Sequence, residues 1–130
     1  MNAKAVTKWI RISPLKARLL TNEIQGKRVD EALQLTRFAP VKAAVPVRKC
    51  LESAIANAEH NYEMDVDALW VKEARVDKGP VMKRLRAGSR GKMSIRKRRT
   101  SHITIVVCDD PWPDISQQRT TRKQEGESPV

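Results

Sequence analysis

The sequence predicts an α+β fold: three helices, a few antiparallel strands, and one long basic β-hairpin that protrudes from them. Three observations carry this expectation. Apolar residues recur at helical spacing in three stretches ahead of Glu63. Two β-branched stretches, Ala68 to Val76 and Ser101 to Asp109, read as strands. Between those strands, Lys78 to Arg99 holds ten basic residues and no acid.

Taken in order, "AKAVTKWIRI" mixes β-branched and aromatic residues with regularly spaced bases, Lys4, Lys8 and Arg11, which suits a half-exposed strand. Ser13 as N-cap and Pro14 at the first helical position start a helix, because proline's missing N–H costs nothing there. Leu15, Leu19, Leu20 and Ile24 then recur at helical spacing, and Gly26 stands where a left-handed residue ends the helix. Asp30 is expected to cap a second, short helix through Ala32, Leu33 and Phe38, stopped at Pro40. Ala44, Val47, Leu51, Ala54, Ile55, Ala58 and Tyr62 give the longest helical period of the chain. Pro46 is expected to kink this third helix or to move its regular part to begin near Val45.

The two strands that bracket the basic segment join most simply as one antiparallel hairpin, with Gly88 and Gly91 near its tip. About ten residues per arm, at about 3.3 Å each, extend it by about 35 Å. Like charges on paired strands repel, so the hairpin needs a neutralising partner. From Asp110 onward the chain is polar, Pro-rich and without period, so 110–130 is expected to be a disordered tail in which Trp112 can dock locally. Residues 1–109 are read as a single RNA-binding domain that includes the hairpin, 77–100.

Charge then decides the class of partner. Twenty-six Lys and Arg against fifteen Asp and Glu give +11, nearly all of it in the central segment. A small domain so far from neutrality calls for a polyanion, most simply nucleic acid. A membrane is not expected as the partner, since no run approaches the roughly 18 apolar residues a span needs. "MNAKAVTKWIRISP" lacks the apolar stretch of a signal peptide, so the chain is expected in the cytoplasm. Cys50 and Cys108 fit no metal spacing and read as reduced core thiols. With five aromatics in 130 residues, the core must be mostly aliphatic.

A charge run is ordinarily a solvated face. This one is internal and bracketed by strands that must pair to be buried, and pairing fixes the charges in space. Arg outnumbers Lys six to four within it, and a planar guanidinium bridges phosphates or stacks on bases. Folded RNA suits that chemistry better than duplex DNA, whose grooves favour a recognition helix. Signals for chemistry are weak. "GSRGKMS" has two residues where a Walker motif needs four. His60 and His102 are lone histidines, and Glu63, Asp65 and Asp67 lie in a turn without calcium-loop spacing. Neither an enzyme nor a metal or cofactor is expected.

Three separated motifs then bring a family into view. "SxxKxRL" is reproduced by Ser13, Lys16, Arg18 and Leu19, followed by the pair Gly26 and Lys27. "LESAIANAEHN" runs from Leu51 to Asn61, and "VDKGPVMKRLR" with "KRRTSHITIVV" forms the two hairpin arms. Over about residues 3 to 109 the chain resembles the bacterial large-subunit ribosomal protein twenty-two family, known for a hairpin that lines the nascent-peptide tunnel. It departs at the tip, where Arg86 to Gly91 reads "RAGSRG" in place of the Pro-Arg-Ala run of many relatives.

The resemblance implies three helices packed on a small antiparallel sheet, seated on large-subunit ribosomal RNA at the tunnel exit and supporting assembly. It implies RNA contacts from Lys4, Lys8, Arg11, Ser13, Lys16, Arg18 and Lys27; from Asn57, His60 and Asn61; and from Ser101 and His102. In the hairpin it implies contacts from Lys78, Lys83, Arg84, Arg86, Arg90, Lys92, Arg96, Lys97, Arg98 and Arg99. Met82, Lys83, Arg84 and Arg90 are expected near the tunnel constriction. Other large-subunit proteins near the exit and the nascent polypeptide are the further expected partners, with no homo-oligomer. The rival reading is a free RNA chaperone or DNA-binding regulator that uses the same basic hairpin.

Overall fold

A computed structural model of the chain describes residues 1–109, and the tail expected over 110–130 lies outside the described residues. Strand β1 (Asn2–Ile10) is followed by helices α1 (Pro14–Ile24), α2 (Val29–Phe38) and α3 (Ala44–Tyr62). Then come β2 (Trp70–Lys78), β3 (Met82–Ala87), β4 (Met93–Arg98) and β5 (Ser101–Cys108). The last strand is central: the antiparallel sheet has the order β1-β5-β2, while β3 and β4 pair as a separate two-stranded ladder. β5 takes the centre, flanked by a strand on each side, with Ile103, Ile105 and Val107 buried on one face and Thr104 and Cys108 on the other. α3 packs across β1 and β5, α1 across β2, and α2 lies against α3.

β1 offers this packing the buried Ala3 and Ala5, alternating with exposed Lys4 and Val6, and the partly buried Ile10 at its end. The small alanine side chains let α3 approach closely. The fully buried large side chains include Ile24, Leu51, Leu69, Ile103 and Ile105, each worth about 1.5–3 kcal/mol of burial. No described aromatic is buried. The core is therefore aliphatic, as five aromatics in the chain require.

The helices match the expected stretches with differences in face and cap. α1 turns Ala17, Leu20, Thr21 and Ile24 inward, while Leu15 is 73% and Leu19 72% exposed. The helix carries two stripes with a period near 3.6, and the sheet selects the one whose small members, Ala17 and Thr21, permit close contact. Ser13 is the N-cap residue, but its side chain makes no capping bond. α2 is capped at Arg28, not Asp30, because backbone bonds tie the chain to β2 just ahead of the helix: Gly26 N to Val71 O at 2.8 Å, Val71 N to Lys27 O at 2.9 Å, and Val29 N to Leu69 O at 3.2 Å. Asp30 and Glu31 fall in the first turn, where they still face the positive end of the helix.

α3 begins at Ala44, next to the start near Val45 expected from Pro46. Pro46 is the third helical residue, so its missing N–H is one of those with no intrahelical acceptor, and the first bond of the ladder runs from Val47 N to Ala43 O at 3.2 Å. The second strand starts at Trp70, not Ala68, because Val66–Ala68 closes a 3₁₀ turn in which Asp65 Oδ1 accepts from Asp67 N at 3.1 Å.

Both cysteines are buried, and no disulfide joins them. The Cys50 Sγ lies 3.6 Å from Ala5 O and 3.8 Å from Ile103 O, and burial pushes its thiol up. The thiolate is the reactive form, so Cys50 is expected to resist maleimide at neutral pH and to react only as fast as the domain opens. Alkylation kinetics followed by mass spectrometry check this; labelling of the folded chain at the rate of a free thiol contradicts it.

The hairpin is not one continuous ladder. β2 and β5 pair down to Lys78 and Ser101, then a joint intervenes before Met82 pairs with Arg98. Gly79 N donates to Thr100 O at 2.9 Å and the Thr100 hydroxyl donates to Pro80 O at 2.5 Å, so the arms stay together without strand geometry. A Cβ on Gly79 would sit 2.5 Å from Thr100 Oγ1 and 3.2 Å from the Thr100 carbonyl carbon. Gly79→Ala is expected to destabilise the fold by about 1–3 kcal/mol by prising this joint. Thermal unfolding reads the loss, and a melting point equal to wild type contradicts the role given to the joint.

Candidate nucleic-acid interface

Register converts the basic run into two distinct faces. β3 and β4 pair Met82 with Arg98, Lys83 with Lys97, Arg84 with Arg96, Leu85 with Ile95, Arg86 with Ser94 and Ala87 with Met93. Alternation along each strand then puts Arg84, Arg86, Arg96 and Arg98 on one face. The other holds Lys83 and Lys97 near the joint and Leu85, Ala87, Met93 and Ile95 toward the tip, the last three large ones all exposed. At the tip Gly88 N donates to Lys92 O at 2.6 Å, and Arg90 (φ 58) with Gly91 (φ 72) makes the left-handed turn. Arg90 and Lys92 project from this turn, while Lys78 and Arg99 stand at the root.

Directly opposed like charges such as Arg84 and Arg96 destabilise a ladder. Among the described residues none of the ten segment cations has an acidic partner, since the ion pairs join Met1 to Asp109, Arg48 to Glu52, and Arg75 to Glu73 and Asp77. Arg84 donates only to Lys83 O at 3.0 Å and Met82 Sδ at 3.7 Å, so the arginine face is a row of planar donors with no carboxylate among the described residues to bind.

Below the hairpin that face closes one wall of a cleft of about 830 Å³. Met82, Arg84 and Arg98 from that face, with Lys97 from the strand edge and Arg99 at the root, form this wall; Arg11, Ser13 and Lys16 at the start of α1, with Lys42 and Ala43 ahead of α3, form the other. Among the described residues, seven cations and no acid line it. The N-termini of α1 and α3 lie beside it, and the positive ends of these helices add to its preference for anions.

A third group lies along β1. One extra residue between Thr7 and Ile10 bulges the strand opposite His102, and Trp9 takes a left-handed φ of 58 there. Trp9 N donates to His102 Nδ1 at 3.0 Å, and the two rings meet edge to face at 6.1 Å. Trp9 is 68% exposed beside Lys8, which gives this edge a surface that a base can stack on. Lys4 is on the same strand, and its carbonyl accepts from Asn57 Nδ2 at 3.0 Å. Asn57 thereby joins α3 to β1, and His60 and Asn61 are exposed one turn further on.

Three of the residues expected at the interface stand apart. Arg18 spends its guanidinium on Val76 O, at 3.2 and 3.0 Å, and so braces α1 against β2. Ser101 is buried, its hydroxyl without a hydrogen-bond partner among the described residues. Lys27 lines a different groove, beside Glu23 and Glu31. Conversely, Lys42 and Trp9 belong to the basic surfaces and were not expected there. Lys42 carries no local signal, being a single lysine between Pro40 and a helix start. Trp9 could have been found, as an aromatic amid the regularly spaced bases of the first strand.

The family model described as ribosomal protein L22p/L17e matches residues 5–108. The large ribosomal subunit protein uL22 of Desulfitobacterium hafniense is 51% identical over 107 residues, which covers 82% of this chain and 94% of the relative. That of Desulforamulus reducens is 52% identical over 109 residues, 84% of this chain and 96% of the relative. The match runs through the capped first helix, the long third helix and both arms of the basic hairpin. On that family-model match and half-identical sequence, this chain belongs to the ribosomal protein L22p/L17e family.

Proposed function

We propose that this chain is a structural, non-enzymatic constituent of the large ribosomal subunit that binds its RNA, supports its assembly and lines the nascent-peptide tunnel with the β3–β4 hairpin. The observation that carries the reading is the row of arginines on paired strands, with no acidic partner among the described residues, continued by the seven-cation cleft at the root. Phosphates at close range offset the repulsion that the hairpin cannot relieve by itself. Residues 1–109 act as one unit, with the cleft and the β1 edge on RNA and the hairpin running inward along the wall. Met82, Lys83, Arg84 and Arg90 then lie nearest the constriction, where the nascent polypeptide passes. Neighbouring large-subunit proteins near the exit are the other partners, and the chain resides on cytoplasmic ribosomes. No helix of the described residues is long and apolar enough to cross a membrane.

If about eight of the ten hairpin cations contact phosphates, the affinity for large-subunit RNA falls with roughly the sixth power of salt, at about 0.7–0.9 per contact. Filter binding across salt concentrations measures this; a nearly salt-independent affinity contradicts it. Sedimentation places the function: the chain should travel with large subunits after a moderate-salt wash, whereas redistribution to light fractions would favour a free chaperone. A photo-crosslinker at Met82 tests the tunnel separately. Capture of RNA without any nascent chain would remove the tunnel role and leave the RNA role standing.

A further inference from the structure

Alternation along β1 points Ala3, Ala5 and Thr7 toward the helices, opposite Val107, Ile105 and Ile103 of β5. Trp9 is next in that series, and unbroken alternation would send its indole inward. The bulge prevents this: Lys8 and Trp9 together stand opposite His102, and Ile10, packed against the core, takes the inward place. Trp9 leaves the helix side of the sheet for the side of His102 and is 68% exposed there, at a φ of 58 that a bulky residue rarely adopts. The bond from Trp9 N to His102 Nδ1, at 3.0 Å, holds this conformation in place. The fold gains no burial from an indole held in water against its own backbone preference, so the position serves an outside partner.

The surroundings select the chemistry of that partner. The indole and the imidazole meet at 85°, so at least one face of the indole stays open. Lys4 and Lys8 lie on the same strand, and Arg11 follows at the mouth of the cationic cleft. The carboxylate across the sheet, Asp77 opposite His102, is taken up by Arg75 at 3.5 Å. A flat apolar ring with cations on both sides fits a polyanion that carries flat rings of its own, an RNA strand with an unstacked base.

We propose that Trp9 is a stacking platform for one unpaired base of large-subunit RNA, with Lys8 and Arg11 on the flanking phosphates. The proposal rests on the RNA reading above and adds to it a contact made to a base, outside the hairpin. Full-length Trp9→Ala and Trp9→Tyr chains are compared with wild type in filter binding to large-subunit RNA across salt concentrations. Trp9→Ala is expected to bind about tenfold more weakly with an unchanged salt slope, because a stack is lost and no phosphate contact, and Trp9→Tyr to stay close to wild type. Equal affinity of Trp9→Ala and wild type overturns the proposal. So does a Trp9→Tyr chain as weak as the alanine one, or a flattened slope, which would make Trp9 a support for the neighbouring cations. A full-length Trp70→Phe, Trp112→Phe chain retains Trp9 as its one indole and reads the contact directly, since RNA is expected to quench its fluorescence. Salt-dependent binding without quenching removes the base contact and leaves the RNA reading standing, whereas failure of the wild-type chain to bind removes both.

Discussion

Replacing Arg84, Arg90 and Arg96 together with glutamate is expected to weaken binding to large-subunit RNA by roughly two orders of magnitude at about 0.15 M salt, from three lost contacts at about 0.8 each in the salt exponent. The salt dependence should flatten by about two to three units of slope in the same experiment. Arg84 and Arg96 face each other across the ladder and Arg90 sits on the tip turn, so the triple change removes charge from the whole length of the arginine face. Core burial is untouched, since all three are exposed. The same exchange at Arg119 and Arg122 is expected to leave RNA binding and assembly nearly unchanged. Equal losses in the two variants would refute the assignment of affinity to the hairpin, whereas unfolding of the triple variant would show up separately in its circular dichroism.

Leu51→Asp is expected to abolish the fold. Leu51 is fully buried on the inner face of α3, among the largest side chains of the core. An unpaired carboxylate there costs upwards of about 4 kcal/mol, comparable with the roughly 5–15 kcal/mol that holds a domain of this size together. Leu15→Asp is the control: it makes the same chemical change at a helical leucine that is mostly exposed, and should shift stability by about 0.5 kcal/mol or less. Thermal unfolding of the two variants decides it. A cooperative transition in the Leu51 variant would mean that α3 is not packed as described.

The hairpin was legible in the sequence because its evidence is local: a run of cations between two stretches that only make sense as paired strands. What could not be read there is how the pairing divides. The joint at Gly79 and Thr100 depends on a hydroxyl finding a carbonyl twenty residues away, and no periodicity reports that. The two faces of the hairpin follow from register, and register follows from the tip, where Arg90 and Gly91 set the turn.

The helices show the complementary lesson. Spacing located all three, yet Leu15 and Leu19 form a stripe as regular as the buried one, and only packing against β2 distinguishes them. Nor did composition show that β5, last in the sequence, would lie between β1 and β2. The candidate site was partly visible for the same reason. Arg11 and Lys16 stood in recognisable motifs, but the cleft they share with Lys42 and the hairpin root exists only once the joint brings Arg98 and Arg99 back over the start of α1. Arg18 shows the opposite case, a motif cation bonded instead to the backbone of β2.

The most direct measurement is amide hydrogen exchange of β3 and β4 in the free chain and in the assembled large subunit. If phosphates relieve the repulsion between facing cations, these amides should exchange far more slowly in the particle than in solution, Arg84 and Arg96 among them. Exchange at the same rate in both would mean that no RNA holds the arms together.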